Sequence, residues 1–88
     1  MSTHDFLLAL DVPDDAVETF VEAHADPFFE AFEGEVSPYT TGARAYADCT
    51  MKAASLDAAV RRAVAGVEAL GLRVRHVEVP AEAFARAA

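Results

Sequence analysis

Residues 44–71, RAYADCTMKAASLDAAVRRAVAGVEALG, contain the change of period that decides the fold. Arg44–Lys52 alternates. Ala45, Ala47, Cys49 and Met51 fall on one side, and Tyr46, Asp48 and Thr50 on the other. Successive side chains of a strand point to opposite faces, so this spacing predicts a strand with one apolar face. The repeat then lengthens. Leu56, Val60, Ala63, Val64, Val67 and Leu70 recur at helical spacing, which predicts a helix of about sixteen residues. Ser55 stands at the N-cap and Gly71 at the C-terminal stop.

Outward from this pair, Leu72–Val79 (LRVRHVEV) is rich in β-branched residues and closed by Pro80, and it reads as a last strand. Its alternation changes near His76, which leaves the side taken by Val77 and Val79 open. Residues 81–88 form a short tail, read as one or two helical turns. On the N-terminal side, Thr40-Thr41-Gly42 reads as a hairpin turn. Before it, Glu35–Tyr39 reads as a strand that Pro38 confines to a sheet edge.

Asp5–Val12 (DFLLALDV) reads as the first strand. Its run Phe6–Leu10 is apolar without a break, as expected of a central strand covered on both sides. Asp14 and Asp15 open a helix, and Asp15 with Glu18 has the capping-box spacing. Val17, Phe20, Val21, His24 and Phe28 follow one buried stripe. Asp26-Pro27 interrupts it. Either Asp26 caps a second short helix with Pro27 at its first position, or residues 28–33 already begin a strand. Periodicity leaves residues 27–36 open between helix and strand.

The order is strand, helix, hairpin, helix, strand. The expected class is α+β, as a ferredoxin-like βαββαβ arrangement: a four-stranded antiparallel sheet with two helices on one face. Residues 1–80 make one such domain and 81–88 the tail. No internal repeat, low-complexity stretch or linker divides the chain.

The stretch from Tyr46 to Val79 resembles a segment of small, uncharacterised bacterial proteins, some described as DNA-binding. The likeness rests on Ser55, Leu56, Asp57, Ala58 and Ala59 at the helix start. Val67, Glu68, Ala69 and Gly71 carry it at the helix end, and Arg73, Val74, Val77 and Glu78 in the last strand. It covers about 40% of the chain, and its motifs are structural. In longer relatives a helix-turn-helix follows the last strand, about where this chain reaches Ala88. The resemblance therefore implies an accessory, sensing or dimerising domain. It does not carry DNA binding over, and it names no functional residue.

The 88 residues hold 15 acids against 7 bases, a formal charge of −8, with a pI near 4.6. Residues 1–43 hold ten of the acids and no Lys or Arg. Such a surface repels phosphate, so no direct nucleic-acid binding is expected. An acidic half steers a basic protein partner, although a merely solvated face has the same composition. More than half of the residues are apolar in a chain whose core must be thin, which favours burial against a second copy. A homo-oligomer is the expectation.

The candidate interface is Leu7, Ala9, Tyr46, Asp48 and Thr50. With Phe6, Leu8 and Leu10 turned to the helices, Leu7 and Ala9 point to the other face, which Tyr46, Asp48 and Thr50 share. A self-associating, non-enzymatic interaction or regulatory domain is the leading expectation. A small-molecule binder or enzyme using the same face, in a pocket lined by Tyr46, Asp48 and Thr50, is the alternative.

Chemistry-bearing motifs are missing from the sequence. His4, His24 and His76 lie at no metal-ligand spacing. Cys49 shares its face with Ala47 and Met51 and has no neighbouring base to activate it. There is no glycine-rich phosphate loop, no stacking aromatic set of an RNA-recognition module and no paired cysteines. No catalytic residue, metal site or cofactor is expected. No signal peptide or membrane span is visible and the lone cysteine staples nothing, so the expected location is cytoplasmic, away from the membrane.

Overall fold

A computed structural model describes residues 1–81. The expected helical turns of 82–88, with Phe84, lie outside the described residues. Four strands form one antiparallel sheet: β1 (Ser2–Leu10), β2 (Val36–Thr41), β3 (Arg44–Ala53) and β4 (Val74–Glu78). Their spatial order is β2-β3-β1-β4. The long strands β1 and β3 are central and the shorter β2 and β4 are edges. Among the described residues three helices complete the order: α1 (Asp14–Val17) and α2 (Phe20–Phe32) follow β1, and α3 (Leu56–Ala69) follows β3. The chain is an α+β domain.

The register of β1 against β3 decides which residues meet. Phe6 pairs with Cys49, Leu8 with Ala47 and Leu10 with Ala45. These residues form one buried cluster with Met51 and Val36, with Phe20, Phe28 and Phe32 of α2, and with Ala59, Ala63 and Val67 of α3. The alternation of Ala45, Ala47, Cys49 and Met51 is thus realised as the core side of β3. β1 starts earlier than its apolar run, at Ser2, because Ser2–Asp5 pairs with Thr50–Ala53. The pairing brings His4 into the sheet, buried, with its Nε2 3.3 Å from the Ala53 carbonyl.

The first helical segment differs from its expectation. The Asp15–Glu18 capping box does not form. Pro13 takes the N-cap position of α1 without a side-chain hydrogen bond, and a turn at Glu18–Thr19 separates α1 from α2. Asp26 caps nothing, because α2 runs on through Pro27 to Phe32. Pro27 removes the N–H that would reach the Ala23 carbonyl, normally a cost of about 3 kcal/mol in a helix interior. Three buried rings on one side of the helix, eight and four residues apart, offset it. Phe20, Phe28 and Phe32 lie in edge-to-face sequence, with centroids 6.3 Å apart at each step. Residues 27–32 are therefore helical, and 36 onward is strand. Between them Glu33 (φ 54°) and Gly34 (φ 93°) both take the left-handed region and reverse the chain.

β2 begins one residue later than expected and runs to Thr41, with Pro38 on the sheet edge. Gly42 and Ala43 make the hairpin turn, with Gly42 at φ 59°. In α3 the Ser55 Oγ accepts the Ala58 N–H at 3.0 Å, so the cap is made as expected. The buried stripe is rotated from the expected one. Ala59, Ala63 and Val67 are fully buried, whereas Leu56, Val60, Val64 and Leu70 pack on the cluster only in part. Small residues sit innermost because α3 lies close to the sheet and to α2. β4 is shorter than Leu72–Val79, because residues 71–73 complete the turn out of α3.

Candidate functional site

The second face of the sheet, turned from the core, carries all five candidate interface residues. Leu7 pairs with Asp48, Ala9 with Tyr46 and Asp5 with Thr50. On the edges, Tyr39 and Ser37 of β2 face Tyr46 and Asp48, and His76 and Glu78 of β4 face Ala9 and Leu7. The Tyr39 and Tyr46 rings lie 6.0 Å apart. His76 Nε2 and a Glu78 carboxylate oxygen are 2.9 Å apart.

The five differ in what they offer a partner. Ala9 and Tyr46 are already buried in the single chain, at 6% and 7% exposure, and Leu7 is half-buried. Asp48 and Thr50 are exposed. The outward apolar surface is therefore smaller than the sequence suggests.

At the end of this face a hollow of about 300 Å³ opens between β3, β1 and β4. Tyr46, Ala9, Arg44, Arg75 and His76 are among its lining residues. Asp48 and Thr50 are not. Arg75 lies at an irregularity: β4 pairs His76 with Ala9 and Val74 with Leu10, which leaves Arg75 as an extra residue in the strand. The sequence signal for it was the lost alternation near His76.

A second surface lies on α2. The core-facing row Phe20, His24, Phe28, Phe32 is followed, one residue on, by Val21, Ala25 and Phe29, and then by Glu22, Asp26 and Glu30. Phe29 is 66% exposed and Val21 41%. An apolar row thus lies in water beside an acidic row on one helix. Val21 was expected within the buried stripe. Val21 shares the angular sector of Phe28 and Phe32 on the helix, so its periodicity is that of a buried residue, and only packing leaves it exposed. Phe29 was not legible as a surface residue while residues 27–36 stood open between helix and strand. His24, partly buried, has its Nδ1 3.0 Å from the Phe20 carbonyl and stacks near the Phe20 ring at 4.5 Å.

Cys49 is fully buried, and its Sγ donates to the Ala47 carbonyl at 3.6 Å. Burial, aided by the neighbouring Asp48 carboxylate, pushes its thiol up to about 12. A thiolate is needed for nucleophilic attack, so this thiol is inert at neutral pH. Among the described residues no group of three or more His, Cys, Asp or Glu is placed to hold a metal. Among them, too, no helix is long and apolar enough to cross a membrane.

No family model, curated protein or solved structure matches the chain.

Proposed function

We propose that this chain is a non-enzymatic interaction domain whose α2 receives a basic segment of a partner protein that presents an apolar face. The observation that carries the reading is Phe29, a large ring 66% exposed on α2 with an acidic row beside it. Leaving such a ring in water forgoes about 1.5–3 kcal/mol that burial against a partner recovers. Glu22, Asp26 and Glu30 set the sign of the partner. They attract Lys and Arg, raise the rate of encounter and repel phosphate. An amphipathic helix laid along such a surface is a recurring recognition mode.

Self-association through the second face of the sheet has less to draw on. Ala9 and Tyr46 are buried before any partner arrives, and Leu7 and Tyr39 stand among Asp48, Thr50 and Glu78. The fold belongs to the same proposal: a ferredoxin-like split βαβ with its helices on one face. The strand order β2-β3-β1-β4 and the single cluster shared by α2 and α3 support it.

The test is fluorescence anisotropy with a labelled synthetic Leu/Lys amphipathic helix and a Leu/Glu counterpart. The Leu/Lys peptide binds, added salt weakens it, and Phe29→Ser weakens it about tenfold or more, equivalent to about 1.4 kcal/mol. Equal binding by Phe29→Ser, or equal binding of both peptides, overturns the reading.

A further inference from the structure

The hollow at the end of the second sheet face has an origin in the backbone. In a regular strand Arg75 and His76 face opposite ways. The extra residue in β4 between the partners of Ala9 and Leu10 is a bulge, and bulges re-aim side chains. Arg75 and His76 both line the hollow, which wraps the end of the sheet, since the neighbouring residues Arg44, Ala45 and Tyr46 of β3 line it too. β3 supplies Arg44 and Tyr46, two residues apart and so on one side. Ala9, between Tyr46 and His76 in register, is small enough to leave the space.

The charge at this place runs against the rest of the molecule. In a chain with 15 acids and 7 bases, two arginines meet at one hollow of about 300 Å³. Arg61 and Arg62 are each tied to a carboxylate, at 2.8 and 2.9 Å. Neither Arg44 nor Arg75 makes an ion pair with a described residue. Guanidinium groups present planar forks that match a carboxylate bidentately. His76 has its Nε2 engaged by Glu78, and its Nδ1 is left without a partner among the described residues. The buried Tyr46 ring provides an apolar wall. A hollow of this size lies at the lower end of the range for small-molecule sites.

We infer that this hollow binds a small organic monocarboxylate, with Arg44 and Arg75 holding the carboxylate and the Tyr46 ring packing against the apolar body. Asp14 also lines the hollow, and its charge opposes a dianion more than a monoanion, which favours a carboxylate over phosphate. The site goes beyond the protein-docking reading and lies on a different surface from Phe29, so either can fail without the other.

Amide NMR titrations with sodium benzoate, benzyl alcohol and inorganic phosphate test it. Benzoate shifts the Ala9, Tyr46 and His76 signals saturably, with a dissociation constant of about 1 mM or tighter. Benzyl alcohol and phosphate bind at least about tenfold more weakly. The double variant Arg44→Gln/Arg75→Gln loses benzoate binding while signals from α3 keep their positions, which shows the fold intact. Unsaturable shifts with benzoate, undiminished binding in the double variant, or equal binding of either control overturns the inference.

Discussion

Gly66 of α3 lies directly against the Phe32 ring of α2: a Cβ at position 66 would stand 2.4 Å from Cζ and 2.7 Å from Cε1 of that ring. The absence of a side chain at one position thus sets how closely two helices approach over the core.

The consequence is a substitution with the opposite sign from the usual one. Replacing a helical glycine by alanine ordinarily stabilises by about 0.8–1 kcal/mol. Here Phe32 is itself in the core and must move, and overpacking of this kind costs about 1–3 kcal/mol. Gly66→Ala is therefore expected to be destabilising in urea denaturation, and Phe32→Leu in the same chain to recover part of the loss. A Gly66→Ala variant more stable than the parent contradicts the close approach.

Cys49 gives a pH dependence whose direction follows from its burial. Its folded value is about 12 against an ordinary 9.0. As the pH rises past 9 the unfolded chain releases this proton and the folded chain does not. The unfolded state then binds fewer protons, so stability falls through the window up to about 12, by at most about 1.4 kcal/mol per pH unit. Cys49→Ala lacks this component. Its urea midpoint, compared with the parent, should improve from about pH 8 to about pH 10. A constant difference across that range would speak against a buried neutral thiol. Native labelling by a thiol reagent is likewise expected to be far slower than labelling in denaturant.

Glu35 ties three elements at one point. Its two carboxylate oxygens accept the Lys52 backbone N–H at 2.9 Å and an Arg62 Nη2 hydrogen at 2.9 Å. The connection out of α2, the end of β3 and the middle of α3 meet there. The Arg62 pair is half exposed and contributes little alone, whereas the bond to a backbone N–H is charge-assisted. Glu35→Ala is expected to cost about 1–2 kcal/mol in urea denaturation, and Arg62→Ala about half of that. High salt should shrink the Arg62 effect and leave most of the Glu35 effect. Equal losses for the two variants would place the contribution in the ion pair instead.

Local patterns in the sequence were sufficient wherever the physical cause is itself local. Alternation along 45–51 determined the core side of β3, because successive residues of any strand must face opposite ways. Ser55 determined the start of α3, because its hydroxyl reaches an N–H only three residues away. The inert thiol of Cys49 followed from its apolar neighbours, and the common face of Leu7, Ala9, Tyr46, Asp48 and Thr50 from counting by two. Tertiary structure decided what depends on distant partners. Pro27 argues for a helix end by itself, and only the burial of Phe28 and Phe32 against β2 and α3 carries α2 across it. Glycine is a weak helix former in any sequence, and Gly66 acquires a role only when Phe32 lies against it. The same continuation places Phe29 in water beside three acids. The bulge at Arg75 comes from β4 matching its register to β1. That match is a property of two strands more than sixty residues apart, and no local period encodes it.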